Sequence, residues 1–180
     1  GQIAKLPLRE LQRIVEKDAI ALSVIAAPVS AIASESRESI HAAALAAVER
    51  FDAAELESAL RGAAMRLGMD EMLDGVIGPL LLTIGSRWHA GLLSPAHEHL
   101  ATAVVRRTLT WMMENGTPPP MAPAIVVATL VGQTHELGAM LAAAAASSHG
   151  WRVVYLGANL PARDIAVAAN HTRATAVALS

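Results

Sequence analysis

Two groups of residues combine types and spacing that can do chemistry. One is His135 in the stretch Gly132-Gln133-Thr134-His135-Glu136-Leu137-Gly138, which directly follows the apolar run ending Leu130-Val131. A histidine at the carboxyl end of a parallel strand reaches any ligand held in the crevice there. Neutral imidazole suits cobalt, iron or zinc. Gly132 ends the strand, and Gly138 permits close backbone approach in the first turn of the helix that follows. Gln133, two residues ahead of the histidine, is placed to bond its second ring nitrogen and fix tautomer and direction. The plainer alternative is a helix-capping or surface histidine. The loop is not GxGxxG, so a dinucleotide site has little support.

The other group is Trp88-His89, followed nine residues after the tryptophan by Glu98-His99. Trp88 falls at the end of one helix and Glu98-His99 in the first turns of the next. The short connection Ala90 to Leu93 folds the two back on each other, so these side chains can face one space. Glu98 shares a helical face with Thr102, and His99 with Ala103, where the small residues leave room for a ligand. Plainer alternatives stand beside this one: Trp88 as core filler, His99 as a satisfied interior group and His89 as a solvent-facing helix end. His97 and His99 make a poor metal pair, because positions two apart point to different faces. His41, His149 and His171 read as helix-surface groups. The seven methionines read as packing residues. Arg106-Arg107 reads as a charged helix face, suited to salt bridges, subunit contacts included, over phosphate binding.

These groups need particular elements to position them. Residues 8–21 read as an amphipathic helix with Pro7 at its start, and 22–35 as a linker. Ser36 can cap a helix over about 37–51. Asp52-Ala53-Ala54-Glu55 is an aspartate form of the capping box, opening a second helix that ends near Gly68. A third runs from Asp70 to about Trp88, kinked or broken at Pro79. Ser94-Pro95 opens a fourth, ending at Asn115-Gly116. Four helices with short connections argue for a bundle. Thr117 to Pro123, with four prolines in seven residues, is the clearest boundary. Beyond it, 124–130 reads as a buried strand, 136–148 as a helix, 151–156 as a strand, 162–172 as a helix and 175–180 as a strand. Such βαβαβ alternation implies a parallel sheet with right-handed crossovers. Three strands are about half of an ordinary open α/β sheet, and the first residue is not methionine, so the chain reads as cut from something longer.

Composition narrows the classes further. The 180 residues are 53% hydrophobic but only 3% aromatic, so the core is aliphatic and suits closely packed helices. A net charge of -2 gives no basic surplus for general nucleic-acid binding. Without cysteine there are no disulfides, thiolate metal sites or cysteine nucleophiles. No apolar run reaches bilayer length and no signal peptide opens the chain, so a cytoplasmic protein is expected.

The histidine loop resembles the D/E-x-H-x-x-G motif of cobalamin-binding domains. In that family the cofactor's benzimidazole tail leaves cobalt for the sheet crevice and the histidine becomes the lower ligand. The resemblance gives that role to His135. Gly157-Ala158-Asn159-Leu160-Pro161, read as the exit of the second strand, resembles the tail-binding neighbourhood, and Ser180 falls where an S-x-L motif begins. Gln133 departs from the motif, since a carboxylate usually stands there. A neutral amide would make the imidazole less electron-rich and more readily displaced.

Together, W-x9-E-H followed by this loop is similar to the light-sensing, adenosylcobalamin-dependent repressors of the MerR superfamily. The resemblance covers nearly the whole chain: 1–35 as the end of a DNA-binding module with its linker, 36–116 as a helix-bundle cap, 117–123 as a linker and 124–180 as part of a cobalamin domain. It implies an α plus α/β architecture, a four-helix bundle before a truncated flavodoxin-like (Rossmann-like) domain with a parallel sheet. It places Trp88 over the upper face of adenosylcobalamin, Glu98 on adenosyl polar atoms and His99 in the pocket lining. Gln133, Gly138, Gly157 and Ser180 fall on the lower side. His89 matches the residue that takes cobalt's upper face after photolysis. The implied protein is a regulator and not an enzyme, a homo-oligomer (a tetramer) that binds operator DNA through a domain outside this chain. Two other readings compete: a corrinoid methyl carrier or methyltransferase subunit, which needs open access to the upper face, and an interaction module that has lost its cofactor, which Gln133 keeps in play.

Overall fold

Apolar residues recur on one stripe of most of the longer helices, and the resulting elements meet along those stripes. In the computed structural model, which describes residues 37–180, the first helix, α1, covers 37–49. Its buried positions Ile40, Ala44, Ala47 and Val48 follow the helical repeat. Helix α2 (Ala53–Ala64) starts at Asp52, whose carboxylate accepts the Glu55 backbone N–H at 2.9 Å, as the capping pattern requires. It ends four residues before Gly68, which instead precedes α3 (Met69–Met72). Helix α4 (Gly78–His89) and helix α5 (Pro95–Glu114) complete the helical half. The expected helix at 8–21, the linker at 22–35 and the Ser36 cap lie outside the described residues. Those from Ile40 to Ser180 form one unit.

The interruption attributed to Pro79 lies upstream of it. Residues Leu73–Ile77 form a π-helical turn, with the Gly78 N–H reaching back to the Leu73 carbonyl. A proline ring collides with the carbonyl four residues before it, here that of Gly75. The widened turn encloses that carbonyl, so the chain bulges before the proline and regains α-helix at it.

Strand β1 (Ala124–Leu130) lies between β2 (Arg152–Leu160) and β3 (Ala176–Leu179), all parallel, in the order β2-β1-β3. Helix α6 (Leu137–Ser148) covers one sheet face, where Ala139 and Ala143 pack on Val127. Helix α7 (Ala162–Thr172) covers the other through Ile165 against Val126 and Ala128. A helical region followed by a doubly covered parallel sheet is the expected Rossmann-like α plus α/β architecture. Strand β2 is longer than the expected 151–156. The segment 157–160, read as its exit, is its last part, and the register against β1 slips on either side of Ala128. Left-handed backbone at Gly157 (φ 89°) and Asn159 (φ 63°) accompanies those slips and re-aims the strand end.

The helical and α/β parts share apolar packing. Met140 and Ala144 of α6 belong to the same core as Leu60, Val105, Leu109 and Met112. Several helix-surface residues find partners within the chain. His41 Nε2 lies 3.2 Å from the Thr83 hydroxyl, linking α1 to α4. His149 and Ser148 reach Asp70 at the start of α3. Arg106 and Arg107 form salt bridges as expected, with Glu136 and Glu57.

Candidate functional site at the carboxyl edge of the sheet

The His135 loop is shaped by backbone bonds that begin in β1. Thr129, fully buried, donates its hydroxyl to the Gln133 carbonyl at 2.5 Å and accepts the Asn159 N–H at 2.9 Å. The Asn159 side-chain oxygen in turn accepts the Gly132 N–H at 2.9 Å. Val131 donates to the Leu160 carbonyl. One threonine and one asparagine thus stitch the loop after β1 to the end of β2. Asn159 adopts a left-handed conformation that asparagine tolerates better than other side-chain-bearing residues, and Gly132 (φ 91°) needs glycine's freedom.

His135 emerges from this stitched loop exposed, and among the described residues nothing bonds its ring. The expected bond from Gln133 is absent there too: the Gln133 backbone is held and its side chain is exposed. A Cβ at Gly138 would stand 2.8 Å from Ser180 Oγ, so the first turn of α6 lies directly against the end of β3. Ser180 also donates its N–H to the Ala128 carbonyl, and Ala128 faces Gly157 across the sheet. His135, Gly138, Gly157 and Ser180 therefore gather at one sheet edge.

Sequence reasoning missed the residue beside the histidine. Glu136 is mostly buried, its side chain 17% exposed, and each of its oxygens is bonded. Arg106 Nε on α5 lies 2.9 Å from one, and the Tyr155 hydroxyl on β2 donates to the other at 2.8 Å. Burial, then the Glu136 bond, pushes the Tyr155 phenol well above its ordinary range. The available signals were modest: an acid just before a helix, and the chain's only tyrosine in a strand.

The upstream group is more open. Trp88, in the last turn of α4, is 43% exposed, and its ring meets the His89 ring edge-on at 4.9 Å. His89 Nδ1 lies 3.2 Å from the Gly85 carbonyl. A carbonyl only accepts, so His89 Nδ1 is the donor in this contact. Glu98 accepts the Thr102 hydroxyl at 2.7 Å, as the shared face suggested. His99 is exposed. His97, between them, is structural: its Nδ1 accepts the Ser94 N–H at 3.0 Å, and its ring stacks on Phe51 at 3.9 Å. Among the described residues no hydrogen bond, ion pair or ring contact joins Trp88-His89 to Glu98-His99, or either pair to His135. Helix α5 nevertheless relates two of them, since Glu98, Thr102 and Arg106 recur every four residues on one face.

No group of three or more acidic or histidine side chains among the described residues is placed to hold a metal ion. A metal at His135 would bring most of its ligands with it, as cobalt in a corrin does. No helix among those residues is long and apolar enough to cross a membrane.

Comparison with known proteins gives this edge a context. Residues 40–112 match one family model described as a B12 binding domain, and residues 123–180 match a second with the same description. The chain is 29% identical over 178 residues to the HTH-type transcriptional repressor CarA of Myxococcus xanthus, covering 96% of this chain and 59% of that protein. It is 32% identical over 136 residues to the HTH-type transcriptional repressor CarH of the same organism, covering 76% of this chain and 45% of that protein. The chain thus spans about half the length of these curated relatives. A monomethylamine corrinoid protein from Methanosarcina barkeri has a similar fold, with a TM-score of 0.56 at 16% identity over 74% of this chain and 64% of that one.

Proposed function

From a chain that carries two B12 binding domains and is homologous over most of its length to the repressors CarA and CarH, we propose a cobalamin-holding sensor region of a light-responsive transcriptional repressor. The observation that carries this reading is the exposed imidazole of His135, unbonded among the described residues, on a loop fixed by Thr129 and Asn159. An imidazole on a pre-shaped loop suits a metal that brings most of its own ligands. Gly138 against Ser180, and Gly157 on β2, leave the sheet edge free of bulky side chains for the cofactor's tail.

In this reading residues 36–116 are the cap, 124–180 the cobalamin-binding part and 1–35 the approach from a DNA-binding module. Adenosylcobalamin, when bound, supplies a cobalt–carbon bond that light cleaves, used once as a signal and not in turnover. His135 holds the lower face. Trp88 would cover the bound cofactor, Glu98 would bond adenosyl polar atoms and His99 would line the pocket. Thr102 keeps the Glu98 carboxylate in one rotamer. His89, next to Trp88 in the last turn of α4, would be the residue to hold cobalt after the adenosyl group has left. The dark state is a tetramer that binds operator DNA, the protein works in the cytoplasm, and light separates the subunits.

The test is the absorption spectrum and hydrodynamic size of the full chain with adenosylcobalamin, before and after green light. A light-dependent change in both, lost in His135→Ala, is expected. Methylcobalamin turnover with a protein partner would point to a methyl carrier instead. Failure to take up either cobalamin would point to a module without cofactor.

A further inference from the structure

We propose that Glu136 is a positioning residue, a latch that ties the His135 loop to helix α5 through Arg106 and to strand β2 through Tyr155. The acid directly precedes α6, whose N-terminus favours a nearby negative charge. Here it makes no capping bond. Its oxygens turn instead to two other elements, one each, at 2.9 and 2.8 Å. The helix start goes without that cap, and the residue adjoining His135 is held from the helical half and from the sheet at once.

The partner on α5 gives the latch its meaning. Arg106 stands two turns after Glu98 and one after Thr102 on the same face, about 12 Å along the axis from Glu98. The helix that carries Glu98 is therefore anchored, at its middle, to the residue beside His135. A displacement of α5 moves Arg106, pulls on Glu136 and changes where the imidazole stands. The consequence for cobalt rests on the functional reading above, whereas the latch itself rests on the geometry alone.

The test uses the full chain with Glu136→Gln, Arg106→Met, Arg106→Lys and the Gln/Met double variant. The probe is adenosylcobalamin, with its absorption spectrum reporting the lower nitrogen ligand. Outer partners of metal-bound histidines carry about 10- to 100-fold in affinity. E136Q and R106M are each expected to lose about 10-fold and to shift the spectrum toward cofactor without a lower nitrogen. The double variant should do no worse than the poorer single, and R106K should recover much of the loss. A merely structural ion pair at a half-exposed arginine would move thermal stability and leave the ligand spectrum alone. Unchanged affinity and spectrum in both single variants would overturn the proposal. Should the parent chain take up no cobalamin, the functional reading fails. The latch is then decided by amide hydrogen exchange over residues 131–137 without cofactor: faster exchange in both variants supports it, and unchanged exchange sinks it.

Discussion

The two halves of the candidate site are built differently. At the sheet edge, Thr129, Asn159, Gly132 and Gln133 close a ring of bonds around the loop, and Glu136 is held from two further elements. At the α4–α5 turn, Trp88 and His99 have no hydrogen-bond partner among the described residues, and Glu98 is held only by its own helix. The first is organised before any ligand arrives. The second offers exposed apolar and polar surface that a ligand would organise. Such a division suits the sensor proposed above, in which one side must hold throughout and the other must respond.

Loosening the ordered half should cost the most. Thr129→Val keeps the shape but removes a donor to Gln133 and an acceptor for Asn159, two hydrogen bonds worth about 0.5–1.5 kcal/mol each. Its unfolding midpoint should fall, with faster amide exchange at 132 and 159. An unchanged midpoint would mean that this edge is less fixed than its bonds suggest. Next comes His97→Ala, which strips the capping contact at Ser94 and the stack on Phe51. A loss of about 1 kcal/mol by denaturant unfolding is expected, with cobalamin affinity nearly unaltered. A large change in affinity would place His97 in the site after all.

Trp88→Ala sharpens the contrast from the other side. The ring is 43% exposed, so stability should move by only about 0.5 kcal/mol. Adenosylcobalamin affinity should nonetheless fall at least about tenfold, or 1.4 kcal/mol, as read by titration in the dark. A large loss of stability with affinity intact would return Trp88 to the role of core filler.

The sequence exposed these halves unequally, for a physical reason. Helices α2 and α5, strand β1 and helix α7 declare themselves through caps, apolar repeats and β-branched runs, all of them local signals. The prolonged β2 does not, because Gly157 and Asn159 read as turn residues and only pairing with β1 keeps them in a strand. The same holds for the site. His135, Gly138 and Ser180 could be found by spacing, whereas Glu136 acquires its role from Arg106, 30 positions earlier, and Tyr155, 19 later. Arg106 was legible as a salt-bridge residue, but its partner was not, because charge alone does not say which acid it meets. Gln133 shows the reverse error. Its spacing suggested an orienting bond to His135, yet the loop uses its carbonyl instead.

The smallest expected change in stability belongs to Gly138→Ala, and it bears most directly on the comparison. The new methyl would stand 2.8 Å from Ser180 Oγ, the mobile end of a short side chain that can rotate away. Within a helix, alanine gains about 0.8–1 kcal/mol over glycine, enough to offset that adjustment. The melting temperature should therefore hardly move. The space between α6 and the end of β3 does shrink, so cobalamin uptake should weaken while folding does not. Calorimetry and cofactor titration on one preparation separate the outcomes. Unchanged uptake would show that the glycine serves only the packing of α6 on β3, and the sheet edge would lose one of its two reasons for being read as a binding surface.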